Sequence, residues 1–188
     1  MSKIAIVYHS GYGHTAEIAK AVARGAAQLS GVTVQSISVA DADRRWEDLA
    51  AADAIIFGAP TYMGSASAPF KAFADASSKV WFTQGWKDKI AAGFTHSGSV
   101  NGDKYNTINQ MFTLAMQHGM VWVGLGLMPG NNSSKGSPED LNRMGSFTGL
   151  MTQSNVDQGA DAIPASDLKT AEHLGRRVAQ FAAARPRA

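Results

Sequence analysis

The stretch Val7-Tyr8-His9-Ser10-Gly11-Tyr12-Gly13-His14-Thr15 carries an apolar run into a helical pattern through a loop of glycines and small hydroxyl residues. Upstream, Lys3 to Tyr8 reads KIAIVY, the continuous β-branched character of a strand buried on both faces. Downstream of Thr15, residues Ile18, Ala19, Val22, Ala23, Ala26 and Leu29 fall at helical spacing. A loop so placed sits on a helix N-terminus, where unpaired backbone N–H groups and the positive end of the helix dipole attract an anion. Ser10 and Thr15 add two hydroxyl donors. No Lys or Arg lies between His9 and Thr15, so a phosphate held here is bound by amides and hydroxyls. Gly11 to Ala16 also satisfies the G-x-G-x-x-G/A dinucleotide fingerprint, for which Asp41 is the one nearby ribose-binding acid, although it lies beyond Ser38 and Val39. A Walker loop is excluded because G-x-x-x-x-G-K-[ST] is absent. A phosphoacceptor receiver would need acids where this chain has His9 and Ala59. A tight turn using glycines for geometry alone stays open at this point.

Outward from this loop, strand and helix patterns alternate. Val32 to Val39 alternates apolar and polar residues, suiting a strand toward a sheet edge, and Ser30-Gly31 stops the helix before it. Arg44 to Ala52 suits a short helix with Trp46 and Leu49 inward. Ala54 to Gly58 reads as a third, buried strand ending in a loop from Ala59 through Pro60, Thr61, Tyr62, Met63 and Gly64 to Ser65. Pro69 opens a helix at a position where its missing N–H costs nothing. Lys89 to Thr95 predicts a fourth strand, Asn106 to His118 a helix, and Met120 to Leu127 a fifth strand. Pro129 to Asp161 reads as a long glycine- and serine-rich loop, a lid or an oligomer contact, before a last helix from about Ser166 to Ala184. Five such alternations predict a doubly wound parallel sheet with right-handed crossovers, in one domain spanning residues 1–188. Ligands of such sheets bind beyond the carboxyl ends of the strands, where three loops here are rich in Gly, Ser, Thr and Tyr.

Composition narrows the function. The chain has 188 residues, 45% of them hydrophobic and 17% charged, and no cysteine, which excludes disulfides, thiolate metal sites and thiol nucleophiles. No metal site is expected. The first residues enter a strand at once, leaving no room for a signal peptide, and no apolar run approaches the roughly 20 residues of a membrane span. The expectation is a cytoplasmic protein with no membrane partner. The net charge is +2, and the basic pairs Arg44-Arg45 and Arg176-Arg177 and the tail Arg185-Pro186-Arg187 are scattered, which argues against a nucleic-acid partner.

The three loops suit flavin mononucleotide (FMN), with a phosphate on Ser10 to Thr15. The isoalloxazine ring would lie on Thr61 to Gly64 and Ser97 to Gly102, where amides and small hydroxyls reach its polar edge and Tyr62 or Met63 covers a face. His118, at a helix C-terminus, is either a dipole-complementing cap or a group facing the ligand.

The motifs H-S-G-Y-G-H-T (9–15), I-I-F-G-A-P-T-Y-M-G (55–64), Lys79-Val80-Trp81, S-G-S (97–99) and Q-H-G-M-V (117–121) run collinearly over nearly the whole chain. In these the chain resembles the flavodoxin-like NAD(P)H:quinone oxidoreductases of the tryptophan-repressor-binding-protein (WrbA) type. The resemblance implies a flavodoxin-like sheet of order 2-1-3-4-5 with helices on both faces. By it, Ser10, Gly11, Tyr12, Gly13, His14 and Thr15 hold the FMN phosphate. Pro60, Thr61, Tyr62, Met63 and Gly64, with Thr95, His96, Ser97, Gly98, Ser99, Val100 and Gly102, hold the ring. His118 faces its pyrimidine end, and Trp81 walls the site from a neighbouring subunit; with Tyr62 these are the expected catalytic residues. The resemblance further implies NAD(P)H as electron donor, a quinone-like acceptor, and a homotetramer built as a dimer of dimers. Three positions depart from the family pattern: Tyr62-Met63 replaces Arg-Phe, Ser97 to Gly102 replaces a glycine run, and Phe147 stands where a tyrosine is common. Trp81, Phe82 and Trp86 gather in one connection, more aromatic surface than a monomer normally exposes, and so also predict an interface. The alternatives are a one-electron carrier, which usually shows an acidic docking face that this basic chain lacks, and a flavin-bearing scaffold.

Overall fold

The structure is a computed structural model that describes residues 1–185. Pro186 and Arg187 of the basic tail lie outside the described residues. Strand β1 (Ser2–Tyr8) lies between β2 (Val32–Ser38) and β3 (Ala54–Tyr62), parallel to both, with Ile4 opposite Val34 on one side and Ala54 on the other. β3 pairs β5 (Ile90–Ser97) in parallel, from Ala54 opposite Ile90 to Pro60 opposite His96. The fifth position is shared between two short strands. β6 (Val121–Trp122) pairs the first two residues of β5, and β7 (Leu150–Gln153) pairs the last four. Counted across the sheet this is the 2-1-3-4-5 order, with β4 (Ser65–Ala66) folded back antiparallel on β3 as an extra.

Two strand boundaries differ from the sequence reading. The fifth strand, expected over Met120 to Leu127, keeps one more bond after Trp122, from Val123 N–H to the Ala91 carbonyl (2.8 Å), and then leaves the sheet. Gly124 packs so closely on the Phe147 carbonyl that a Cβ there would lie 2.7 Å from it, and Leu125 N–H donates to that same carbonyl. Residues 150–153, read from sequence as part of a loop, take over the vacated edge. The third strand, expected to stop at Gly58, continues through Pro60 to Tyr62. It then reverses at Met63 and Gly64, both with left-handed φ (48° and 75°), as a two-residue hairpin requires.

Alternation along β1 sends Ile4 and Ile6 to one face and Ala5 and Val7 to the other. The first face is covered by α1 (His14–Ala27) and α6 (Ala165–Ala184) through Ile18, Val22, Leu174 and Val178. The second is covered by α2 (Trp46–Ala51), α3 (Ala68–Ala76) and α5 (Lys104–Gln117), around Phe57, Phe70, Phe73 and Met111. A Cβ on Gly25 of α1 would stand 1.8 Å from the Glu172 carbonyl of α6, and one on Gly175 would stand 1.9 Å from the Val22 carbonyl. The two helices therefore touch backbone to backbone along the C-terminal half of α1.

The aromatic cluster between α3 and β5 divides. Trp86 is fully buried among Phe57, Phe73 and His118, so it belongs to the domain's own core and not to an exposed cluster. Trp81 and Phe82, on the short helix α4 (Ser78–Phe82), stay 44% and 83% exposed.

Candidate functional site

The carboxyl ends of β1, β3, β5 and β7 open into one cleft of about 390 Å³, within the usual ligand-site range. At one end is the β1–α1 loop. Ser10 Oγ accepts from the Gly13 and Ala16 amides (3.1 and 3.2 Å), a brace made possible by Gly13's left-handed φ of 92°. That brace leaves the amides of Tyr12, His14 and Thr15 with no partner among the described residues. Thr15 is itself buried, and its hydroxyl has no hydrogen-bond partner among the described residues. Unpaired first-turn donors gathered at a helix N-terminus fit a phosphate dianion.

The other end is built on hydroxyls and imidazoles. Thr61 Oγ1 lies 2.8 Å from both Thr95 Oγ1 and Thr107 Oγ1, a buried chain of three hydroxyls that pins β3 to β5 and α5 beneath the cleft. His96 stacks on His14 (centroids 5.0 Å apart, planes 10° apart) and so joins the two ends. The Thr152 hydroxyl donates to the Thr95 carbonyl, so it accepts from His96 Nδ1–H (3.0 Å), leaving Nε2 to accept from Ser154 Oγ (3.3 Å). Burial, followed by the positive fields of His14, Lys104 and Arg143, lowers the His96 pKa to about 4. It is a neutral imidazole of defined tautomer at neutral pH. Tyr62 reaches across to the β1–α1 loop, where its phenol oxygen comes so near Gly11 that a Cβ there would lie 2.5 Å from it; burial raises the Tyr62 pKa. Pro60, Ser97 and Gly98 complete the expected lining.

Other expected residues act from behind. Thr95 is wholly buried under the cleft, and the carbonyls of Ser99 and Val100 turn inward to the Lys104 ammonium. Gly102, at φ 57°, turns the chain so tightly that a Cβ would meet Ser97 Oγ at 2.5 Å. Met63 and Gly64 form the β3–β4 turn, with the Met63 side chain in solvent.

The cleft also contains Ser154, Asn155 and Val156, which the sequence reading left inside the long loop, and the Gln158 carbonyl accepts from His14 Nε2 (3.1 Å). The only signal for this segment was the short alternation Leu150-Met151-Thr152-Gln153. Arg143 fixes it by pairing with Asp167 (2.8 Å) while also donating to the Gln153 carbonyl (2.8 Å).

His118 and Trp81 are not brought to this cleft. Both precede strand starts at the opposite edge of the sheet, where Gly119 O accepts from Asp88 N–H. His118 is 1% exposed, packed against Trp86 with ring centroids 4.3 Å and planes 39° apart, and bonded through Nε2 to Ser77 Oγ (2.8 Å), and burial lowers its pKa to about 4. Its expected position at the pyrimidine end of a flavin does not hold within its own protomer, because the helix it caps ends half a domain away from the carboxyl ends. Among the described residues no helix is long and apolar enough to cross a membrane, and no group of three or more His, Cys, Asp or Glu could hold a metal ion.

A doubly wound sheet of this strand order, with a lysine-free phosphate loop after β1 and a ring-sized cleft over β3 and β5, defines the flavodoxin class of FMN-binding proteins. The chain belongs to the flavodoxin domain family, whose profile matches residues 5–117. It is 49% identical over 181 residues to a protein named Flavodoxin FldP from Pseudomonas aeruginosa, covering 96% of this chain and 97% of that one. It is 33% identical over 147 residues to an NAD(P)H dehydrogenase (quinone) from Trichlorobacter lovleyi, covering 66% and 72% of the two chains. The crystal structure of a flavodoxin, WrbA-like protein from Agrobacterium tumefaciens superimposes with a TM-score of 0.75 at 44% identity, over 97% of this chain and 98% of that one.

Proposed function

We propose that the protein is an FMN-dependent oxidoreductase that takes two electrons from NAD(P)H and passes them to a quinone-like acceptor in a ping-pong sequence. The observation that carries this reading is the character of the cleft lining. It has unpaired amide and hydroxyl donors at one end, imidazoles and hydroxyls at the other, and no Asp or Glu among its lining residues. Such a cleft admits an anionic nucleotide beside the ring, whereas a carboxylate-lined one repels it. The likeness to an NAD(P)H dehydrogenase (quinone) supports the same reading.

FMN, when bound, supplies the hydride and electron chemistry. The chain binds and orients. Thr15, Ser10 and the first-turn amides hold the phosphate; Pro60 to Tyr62 and His96 to Gly98 frame the ring. His96, kept neutral with Nδ1–H on Thr152, offers no charge to the cleft. Tyr62, close against Gly11, stands where it limits access to one ring face. Trp81, 44% exposed at the far edge, reaches a flavin only as a neighbour's, which makes the tetramer part of this proposal. The proposed location is the cytoplasm.

The likeness to Flavodoxin FldP favours a second reading, a carrier that moves single electrons to a protein partner. Steady-state NAD(P)H oxidation separates the two. The enzyme gives turnover that depends on added quinone, with parallel double-reciprocal lines as NAD(P)H is varied at several quinone concentrations. A rate no greater with quinone than without it would leave the carrier.

A further inference from the structure

Lys104 is a fully buried cation, and nothing in the binding or catalytic scheme above uses it. It is the first residue of α5, where the helix dipole disfavours positive charge, and burial of an ammonium adds a further cost. Its Nζ donates to Ser97 Oγ (2.9 Å) and to the carbonyls of Ser99 (2.5 Å) and Val100 (2.9 Å), all neutral oxygens of the loop that frames the ring end of the cleft. No carboxylate pairs with it among the described residues. Asp103 beside it is exposed, and Asp167 is already held by Arg143 and by the Gln153 amide. The charged groups that act on this spot are therefore Lys104 and Arg143 against the single carboxylate of Asp167, with His96 neutral and His14 at its far side. One net positive charge lies behind the loop. Three acceptors on one nitrogen require an ammonium, since a side-chain amide nitrogen has only two donors, so tying the loop in this way also fixes a positive charge behind it.

We infer that Lys104 is an electrostatic positioning residue that makes the cleft hold reduced FMN at least as tightly as oxidised FMN. This rests on the FMN reading of the cleft, not on the identity of donor or acceptor. Uptake of a hydride equivalent brings two electrons and one proton to a neutral ring, so the ring gains one unit of negative charge. That charge arises on the open side of the Ser97–Val100 loop while the ammonium stands on the closed side. The ammonium itself is buried, so solvent screens its attraction less than it would that of an exposed lysine. Burial lowers the Lys104 pKa to about 8, which leaves the side chain charged at neutral pH, and an anion arriving nearby raises it again.

The test is anaerobic titration of the purified protein with oxidised and with dithionite-reduced FMN, together with the midpoint potential of the bound flavin, for the natural chain, Lys104→Met, Lys104→Gln and Lys104→Arg. In the natural protein the reduced form binds at least as tightly as the oxidised form. In Lys104→Met and Lys104→Gln the preference for reduced FMN falls by on the order of tenfold to a hundredfold, and the potential falls with it; Lys104→Arg keeps most of it. A lysine that only anchors the loop would weaken both forms equally and leave the potential in place, which overturns the inference. Should the uncharged variants not fold, the natural chain decides alone: weaker binding of reduced than of oxidised FMN overturns it. No binding of either form would instead refute the FMN reading on which it stands.

Discussion

Thr15 stands second in α1 with its hydroxyl and its amide both free to meet a phosphate. Replacing it by alanine removes one charge-assisted hydrogen bond, and FMN affinity is expected to fall by about 1.5–3 kcal/mol, read by quenching of flavin fluorescence. An unchanged affinity would place the phosphate elsewhere. Gly13→Ala strains a left-handed N-cap and loosens the Ser10 brace. It should lower both stability, by about 1 kcal/mol, and FMN affinity, where a purely geometric glycine would affect stability alone. These residues were legible in sequence because glycine and small hydroxyls between a buried strand and an amphipathic helix leave few other physical uses. His118 and Lys104 were not. A histidine after a helix looks the same in sequence whether the helix ends at the ligand or at the far edge, and a lysine at a helix start looks like surface until the fold closes over it.

At the scale of elements, α1 and α6 pack backbone to backbone around Gly25 and Gly175. Gly175→Ala drives a methyl group into the Val22 carbonyl, with no flexible side chain there to yield. Urea denaturation should show a loss of at least about 2 kcal/mol; a change below about 0.5 kcal/mol would mean the helices separate at little cost. Arg143→Met should cost about 3–5 kcal/mol, because it leaves the Asp167 carboxylate buried and unpaired and releases the Gln153 end of β7. The four parallel strands β1, β2, β3 and β5 were legible because β1, β3 and β5 are apolar runs and β2 alternates, each bounded by turn residues. The split fifth position was not. β6 has two residues and β7 four, too few to show a period, and what places β7 is a long-range Arg143–Asp167 pair that no local pattern announces. Pro60 misled for a different reason: it pairs in register with His96 at the end of a strand, where one missing amide donor is tolerated.

For the molecule as a whole, pH reports the buried histidines. His96 and His118 are lowered to about 4 by burial, and His9 and His173 shift in the same direction, while the unfolded chain takes up protons near the ordinary histidine value of 6.5. The unfolded state then binds more protons below that value, so stability is full above pH 6.5, falls as the pH drops toward 4 and levels below it. Unfolding free energies from urea titrations across this window should fall for the natural protein, by on the order of 1–3 kcal/mol for each of the two deepest histidines, and a flat profile would contradict their neutral burial. The exposed Trp81 and Phe82 bear on assembly, and light scattering across dilution should find a tetramer, or at least a dimer, whose quinone turnover drops with Trp81→Ala while most FMN stays bound. A monomer of full activity at every concentration would remove the interface. If this cleft carries a flavin that NAD(P)H reduces and a quinone reoxidises, anaerobic mixing of the flavin-loaded protein shows both half-reactions in turn. NADH or NADPH should bleach the yellow absorbance within seconds and a quinone should restore it in a second mix; a flavin that dithionite bleaches but neither nicotinamide touches would contradict it.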